Sequence, residues 1–279
     1  MRQSGRLTSQ HKVSHGVIGI FGDEAKHHDN QVAKMACRAL ACFREKYPTL
    51  EFRHRKSVSK EEISLALRQM DKSLGRTLFV PSAKVSPDGG IIEVKDDAGA
   101  WRVVLVSEAK HQGKDIENIK AGKLVGKNAD QDLMIAGNAI ERSHKNIFEI
   151  ANFMLAESYF PYVLFLEGSN FLTRTLSVSR PDGRTVTLDC HSGAINRLDR
   201  LTAANYGMEI NTNLCNNKFI RHGDKMIMLQ ATSIFTQGDG NSWDDDAMLK
   251  IMLDVADTSM RVLASDLFDQ LVKSGRQGR

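Results

Sequence analysis

The chain has 279 residues, of which 41% are hydrophobic and 26% charged, and its formal net charge at pH 7 is +4. This composition is ordinary for a soluble globular protein. The chain is long enough to form a hydrophobic core without disulfide or metal support. No run approaches the roughly 18 apolar residues of a membrane span, and the amino terminus lacks the apolar core of a signal peptide. We therefore expect a cytoplasmic protein with no membrane partner. The cysteines Cys37, Cys42, Cys190 and Cys215 lack zinc-like spacing, so reduced thiols are expected.

The first segment, residues 1–16, is predicted to be a basic amino-terminal arm. Arg2, Arg6 and Lys12 precede the first acidic residue, Asp23. Such a terminus is commonly disordered and solubilising, but it can also lie along nucleic-acid phosphates. Charge alone leaves both interpretations open.

Two helices are predicted after the arm, over residues 28–48 and 59–75. The first has apolar residues at helical spacing and stops at Pro48. In the second, Ser59 and Glu62 form a capping box and Gly75 ends the pattern. We expect both helices to cover a sheet.

Three extended segments follow, over residues 77–80, 90–94 and 101–110, and a polar hairpin turn joins the last two. The third contains four consecutive aliphatic residues, which predict a strand buried on both faces. Strand side chains alternate in direction, so Glu108 and Lys110 would project from the same face at its end. An ordinary salt bridge at a strand end explains this pair, and so does a site that binds an ion.

A helix over residues 139–157 and an apolar strand over 162–168 predict a crossover and a partly parallel sheet. The segment 170–190 is polar around the turn 181–183, so we predict a protruding arm there. A further strand is predicted over 226–235. Residues 242–245 would cap a last helix that runs to about residue 272 and is core or subunit interface.

The order of these elements predicts an α/β protein with a mixed central β-sheet flanked by helices. We expect a single domain, residues 17–279, with protruding arms.

A second carboxylate, Asp88, lies in a Pro-Asp-Gly-Gly turn before the strand at 90–94. A hairpin can bring it beside Glu108, although the two are 20 positions apart. Two clustered carboxylates repel unless one is protonated or a cation binds, and Mg²⁺ is the usual intracellular cation because it takes oxygen ligands. This arrangement suits phosphodiester hydrolysis, in which Lys110 orients the nucleophile or stabilises developing negative charge. The alternative for Asp88 is a simple turn former.

A helix start is predicted at Asn138, an N-cap residue with Glu141 three positions later. Helix amino termini present backbone donors to phosphates or to a DNA groove. The residues by themselves favour a helix capped only for stability.

Five segments together resemble the EcoRI family of type II restriction endonucleases, of the PD-(D/E)xK superfamily: PDGGIIEVKDD, WRVVLVSEAKHQGKD, GNAIERSHKN, FPYVLFLEGSNFLT and NRLDRLTAANYGM. The similarity runs over nearly the whole chain. It implies a restriction-endonuclease-like fold, a homodimer, and Mg²⁺-dependent cleavage of double-stranded DNA at the palindrome GAATTC, with 5′-phosphate and 3′-hydroxyl ends. A cognate DNA adenine methyltransferase would act on the same site without being a required binding partner. Asp88, Glu108 and Lys110 would be catalytic, with Asp88 and Glu108 as metal ligands.

The resemblance also implies a set of DNA-contacting residues: Gln112, Lys114, Met134, Ile135, Gly137, Asn138, Ala139, Glu141, Arg142, Lys145, Arg197 and Arg200. The Asn138 amide matches adenine N6 and N7, and Arg142 can donate to purine acceptors. Glu141 could accept from an exocyclic amine or hold Arg142. An ordinary polar loop at Gln112 and Lys114 and surface salt bridges at the two later arginines are the alternatives.

Two other functions remain open from the residues. One is a structure-selective or repair nuclease of the same superfamily. The other is a non-catalytic DNA-binding regulator, although the intact Asp88, Glu108 and Lys110 argue against it.

Overall fold

The computed structural model describes residues 23–76, 82–123, 137–190, 195–207, 210 and 218–263. The predicted arm at 1–16 and the extended candidate at 77–80 lie outside the described residues.

Helices and strands alternate along the described chain. The helices are α1 (Asp23–Lys46), α2 (Lys60–Met70), α3 (Asp115–Lys120), α4 (Gly137–Phe153), α5 (Ile195–Ala204) and α6 (Asp245–Val262), with a 3-10 turn at Ser169–Phe171. The strands are β1 (Phe52–Arg55), β2 (Val58–Ser59), β3 (Lys84–Val85), β4 (Gly90–Lys95), β5 (Trp101–His111), β6 (Tyr162–Glu167), β7 (Leu176–Ser179), β8 (Thr185–Leu188), β9 (Lys218–His222), β10 (Lys225–Leu229) and β11 (Ser233–Thr236).

The central sheet has five strands in the order β1-β4-β5-β6-β11. The β1/β4 and β4/β5 pairs are antiparallel, whereas β5/β6 and β6/β11 are parallel. The middle strand, β5, is buried continuously from Val103 to Ala109. The predicted doubly covered strand, its hairpin with β4 and the partly parallel sheet are confirmed.

Helices cover both faces of this sheet. On one face α1 and α6 pack on β5 around Val32, Phe43 and Met252. On the other face, side chains of α2, α4 and α5 join those of the sheet in a second core cluster. The fold is therefore the predicted mixed α/β sheet flanked by helices, in one restriction-endonuclease-like domain. Within the described residues no helix is both long and apolar enough to cross a membrane.

Helix boundaries differ from the predicted ones at several ends. The Ser59–Glu62 capping box is present, but α2 ends at Met70 rather than near Gly75. The chain leaves the helix at Asp71, whose side chain accepts hydrogen bonds from the Ser73 amide at 2.7 Å and from the Ser73 hydroxyl at 2.6 Å. These bonds close a local turn. Helix α1 starts earlier than predicted, α4 spans Gly137–Phe153 instead of 139–157, and α6 ends at Val262. Residues 264–272, predicted as helix, lie outside the described residues.

The prediction of one strand over 226–235 is wrong. Its first half is β10, which pairs with β9 in a separate two-stranded sheet, and its second half is β11 in the central sheet. Buried polar contacts occupy the gap between the two strands: the Gln230 side chain donates to the Met154 carbonyl at 2.8 Å, and the Thr232 amide donates to Asn205 Oδ1 at 2.6 Å. These buried polar contacts replace strand pairing and redirect the chain.

The segment predicted as a protruding arm contains the two-stranded β7/β8 sheet, separate from the central one. Its turn is the predicted one, with Gly183 at a positive φ of 83°. One face of this hairpin packs Val178 and Val186 against Ile116 and Ile119 of α3. The hairpin is thereby attached to the segment that follows β5.

Candidate active site

The β4/β5 hairpin brings Asp88 to the carboxyl end of β5. The Gly89 amide donates to the Ser107 carbonyl at 2.9 Å, and the Ala109 amide donates to Asp88 Oδ2 at 3.2 Å. A Cβ at residue 89 would lie 2.1 Å from Ser107 Oγ and 2.9 Å from a methyl of Val32, so any larger residue there would have to displace these side chains. The Pro-Asp-Gly-Gly turn therefore presses closely on β5, and this close approach positions the Asp88 carboxylate.

Lys110 joins the two carboxylates that the sequence singled out. Its Nζ lies 2.6 Å from Glu108 Oε1 and 3.1 Å from Asp88 Oδ2, and it donates to the Ala109 carbonyl at 2.7 Å. Burial alone would lower the pKa of the Lys110 ammonium, but Glu108 and Asp88 outweigh it and raise that pKa above its usual value. Lys110 is consequently a permanent cation at neutral pH.

Glu108 is completely buried, with 0% of its surface exposed. Its Oε1 and Oε2 accept from the Asn146 amide at 3.1 and 3.0 Å, and Oε2 also accepts from the Tyr162 hydroxyl. Burial raises the pKa of the Glu108 carboxyl, with Asp88 adding to the rise and Lys110 opposing it. Burial and the Glu108 charge raise the pKa of Tyr162 well above its usual value, so its hydroxyl stays a donor. Asn146 and Tyr162 were not predicted from the sequence.

A third carboxylate, Asp29 of α1, lies within electrostatic reach of the site. Its pKa is raised from 3.8 to about 6 by partial burial first and then by repulsion from Asp88, with Lys110 opposing the rise. Asp29 is one helical turn before Val32, whose side chain lies against Gly89. Sequence reasoning missed Asp29. Its helical spacing shows that it faces inward, but not that the Pro-Asp-Gly-Gly turn of Asp88 is the segment that it faces.

Asp29→Asn is expected to stabilise the protein at neutral pH. Because the folded pKa of about 6 exceeds the ordinary 3.8, the folded state keeps a proton that the unfolded state loses within that window. The free energy of unfolding of the native protein thus falls as the pH rises from about 4 to 6. The variant avoids that loss and should gain about 1–2 kcal/mol above pH 6 and nothing below pH 4.

Urea denaturation of Asp29→Asn at about pH 4 and pH 7.5 measures this difference. Asp224→Asn, in the exposed turn between β9 and β10, is the matched carboxylate-to-amide control and should show no such pH dependence. An equal gain at both pH values would contradict the assignment.

A buried polar cluster lies directly behind Lys110. Glu167, at the end of β6, has Oε2 3.1 Å from His28 Nδ1 and accepts from the Trp243 amide at 3.2 Å. His111 Nε2 lies 3.9 Å from the other Glu167 oxygen. Burial opposes ionisation of Glu167, but His28 outweighs it and lowers the carboxyl pKa. The cluster ties α1, β5, β6 and the start of α6 together and holds the strand end that carries Lys110.

The predicted DNA-contacting residues fall into two groups around this site. Gln112 is buried just beyond β5, and Lys114 forms an ion pair with Glu24 of α1. Hydrogen bonding to Lys114, against a smaller effect of burial, lowers the pKa of the Glu24 carboxyl, so this lysine already holds an anionic group. Phosphate binding there would have to compete with Glu24.

Arg142 and Lys145 are exposed on α4, and Arg200 is exposed on α5. The backbone of Gly137, Asn138, Ala139 and Glu141 lies in the first turns of α4, and that of Arg197 in α5. Helix α4 already includes Gly137, so Asn138 lies inside the first turn and is not the N-cap that the sequence predicted. Met134 and Ile135 lie outside the described residues.

The oxygen atoms around Lys110 fit a divalent cation. The ammonium lies among oxygens of Asp88, Glu108 and Ala109 at 2.6–3.1 Å, and carboxylate and carbonyl oxygens are the ligands that Mg²⁺ takes in proteins. In the part of the chain that the structure describes, no three His, Cys, Asp or Glu side chains form a metal-binding group. Lys110 Nζ contacts both carboxylates.

A mixed sheet whose central hairpin places Asp, Glu and Lys together at a strand end is consistent with the restriction-endonuclease-like class of proteins. Comparison with known proteins agrees: the family model described as restriction endonuclease EcoRI matches residues 14–270. The chain is 66% identical over 273 residues to the type II restriction enzyme EcoRI of Escherichia coli, covering 97% of this chain and 98% of that protein. It is 48% identical over 265 residues to the type II restriction enzyme RsrI of Cereibacter sphaeroides, covering 95% of each.

The chain therefore belongs to the EcoRI family of type II restriction endonucleases. It is an enzyme of the site-specific deoxyribonuclease type, which acts on double-stranded DNA.

Proposed function

We propose that this protein cleaves double-stranded DNA at the palindrome GAATTC by Mg²⁺-dependent hydrolysis and leaves 5′-phosphate and 3′-hydroxyl ends. The observation that carries the proposal is the convergence of Asp88, Glu108 and Lys110 at the end of β5, where Lys110 Nζ lies 2.6 Å from Glu108 Oε1 and 3.1 Å from Asp88 Oδ2. Family membership over nearly the whole chain supports the site specificity.

Each member of this trio has a distinct role in the proposed reaction. Asp88 and Glu108 would hold Mg²⁺, which would supply a Lewis acid for the scissile phosphate and a bound water of lowered pKa. Lys110 is a poor general base because its pKa is raised. It instead stabilises the negative charge that develops on the phosphate oxygens.

Incubation with a defined duplex tests the proposal. Two discrete fragments from a duplex with one GAATTC site, in Mg²⁺ and not in chelator, are expected, and mapping their ends should show 5′-phosphates. A duplex with one changed base pair is the control. Nicks or smears would indicate the structure-selective or repair nuclease instead, and binding without cutting would indicate the regulator.

We propose that α4 reads the bases, with Asn138 matched to adenine. Exposed Arg142 and Lys145 on the same helix, with Arg200, Arg197, Gln112 and Lys114, supply further DNA contacts. Met134, Ile135, Gly137, Ala139 and Glu141 complete the proposed recognition set.

Asn138→Ala is expected to cost about 1–3 kcal/mol of discrimination at an adenine position, because the methyl side chain can neither donate nor accept there. Competition binding between GAATTC and singly substituted duplexes measures the loss. Lys120→Ala, on an exposed position of α3, is the control for general loss of charge or stability. Unchanged discrimination between GAATTC and the substituted duplexes would show that Asn138 does not belong to the proposed recognition set.

A homodimer is the assembly that a palindromic site favours, because a two-fold protein presents the same half-site reader twice. Sedimentation that shows only monomer at working concentration would contradict it. We further propose that the enzyme acts in the cytoplasm, where a cognate DNA adenine methyltransferase modifies the same site without binding the nuclease.

A further inference from the structure

The carboxylate of Glu108 has its acceptor capacity filled by donors of its own chain. Oε1 accepts from Lys110 at 2.6 Å and from the Asn146 amide at 3.1 Å. Oε2 accepts from Asn146 at 3.0 Å and from the Tyr162 hydroxyl. A carboxylate oxygen offers about two lone-pair sites, so both oxygens are saturated. A divalent cation can be ligated by Glu108 only if one of these donors moves away.

Asn146 is the donor whose movement is easiest to link to substrate binding. Tyr162 is 0% exposed in β6, and its ring stacks on Phe160. Lys110 belongs to β5, the buried middle strand. Asn146 is partly exposed on α4, one helical turn after Arg142 and next to Lys145. The helix that presents the proposed base readers therefore also presents the amide that occupies Glu108.

We infer that Asn146 is a positioning residue that withholds Glu108 from the metal ion until DNA binds α4. In this structure the amide bridges both carboxylate oxygens. DNA that engages Arg142 and Lys145 moves or redirects the neighbouring amide, and one Glu108 oxygen becomes available to the cation. Such a device is effective only if DNA binds the released arrangement more tightly than the bridged one. The inference rests on the proposed function of α4 as the reading helix.

The inference can be tested without any cleavage step by measuring the affinity of the protein for Mg²⁺ in the absence of DNA. Isothermal titration calorimetry near pH 8 gives this affinity. Asn146→Leu keeps a side chain of similar size but removes the donors. We expect this variant to bind Mg²⁺ at least about tenfold more tightly than the native protein, which corresponds to about 1.4 kcal/mol. The double variant Asn146→Leu/Glu108→Gln should lose the gain, because it lacks the carboxylate that the first change exposes.

Glu149→Gln is the matched control on the same helix. Glu149 pairs with Lys60 of α2 and not with the active site, so this change loosens α4 without freeing Glu108 and should leave Mg²⁺ affinity as it is. Asn146→Ala is measured in parallel, so that a folding defect of the leucine variant does not remove the test.

A second measurement separates this inference from the proposed function. An uncleavable GAATTC duplex should raise the Mg²⁺ affinity of the native protein much more than that of Asn146→Leu, and the variant should discriminate less between GAATTC and altered sites. Weaker or unchanged Mg²⁺ binding by both Asn146 variants would overturn the inference, since the amide would then only support Glu108. Failure of the native protein to cut GAATTC would overturn the proposed function and leave the DNA-free result interpretable.

Discussion

Glu108→Gln is expected to slow cleavage of a GAATTC duplex by about three orders of magnitude or more, equivalent to about 4 kcal/mol in the barrier. The amide has the size of the carboxylate, so the packing around Tyr162 and Asn146 is largely preserved. It carries no negative charge, however, and so cannot hold a divalent cation against the Lys110 ammonium 2.6 Å away. Duplex binding should remain, because the change adds no negative charge near the phosphates.

Single-turnover cleavage rates and fluorescence anisotropy of a labelled duplex measure the two effects separately. Glu61→Gln, in the exposed first turn of α2, is the control and should cut and bind as the native protein does. Normal cutting by Glu108→Gln would refute the catalytic assignment of this strand end.

Lys110→Met is expected to abolish cleavage and to destabilise the fold by about 3–5 kcal/mol near pH 8, because it leaves a buried carboxylate without its cation. Glu108 has no exposed surface on which water could replace the lysine. The apolar methionine has a similar length, so lost packing contributes little. The missing cation also removes the attraction that draws Asp88 towards β5.

The destabilisation of Lys110→Met should depend on pH in a defined direction. Burial already raises the pKa of Glu108, and losing Lys110 raises it further above the unfolded value. Between the unfolded and folded pKa values only the folded state holds the proton, so the free energy of unfolding falls as the pH rises through that window. The deficit relative to the native protein should therefore be small near pH 5 and largest near pH 8.

Guanidinium denaturation at the two pH values gives the comparison. The double variant Lys110→Met/Glu108→Gln buries no unpaired charge, so it should recover most of the lost stability while remaining unable to cut. A deficit of equal size at both pH values, or no recovery in the double variant, would show that Lys110 does not act as the counter-charge of Glu108.

Both variants concern side chains whose proximity was largely predictable from local patterns. Continuous apolar residues in β5 require burial on both faces, and the period of two along a strand places Glu108 and Lys110 on one side. The capping box at Ser59 also depends on contacts within one turn and is present, and the predicted capping segment 242–245 contains the N-cap, Asp244. These patterns are read correctly because the interacting atoms are near neighbours in the chain, but the equally local prediction of an N-cap at Asn138 is wrong, since α4 already includes Gly137.

The position of Asp88 was only half determined by the sequence. The Pro-Asp-Gly-Gly motif marked a turn, and a hairpin made its approach to Glu108 feasible. The approach itself requires the β4/β5 register, Gly90 opposite Ser107, and space at Gly89 that Val32 of α1 delimits. The resemblance to a nuclease family predicted that Asp88 lies with Glu108 and Lys110 at one site. The structure places the Lys110 ammonium in contact with both Asp88 and Glu108.

Only the tertiary structure decided the environment of Glu108 and the division of residues 226–235 between two separate sheets. Asn146 and Tyr162, which donate to Glu108, and Asp29, whose pKa Asp88 helps to raise, come from three elements far apart in the chain. No periodicity shows that these side chains will lie at one site. The pattern of 226–235 likewise does not show that the strand is interrupted, since the partners of Gln230 and Thr232 lie far away in sequence, just after α4 and just after α5. Local sequence sets the shape and buried face of each element, whereas the neighbours of a buried charge are set by the packing of elements that are distant in sequence.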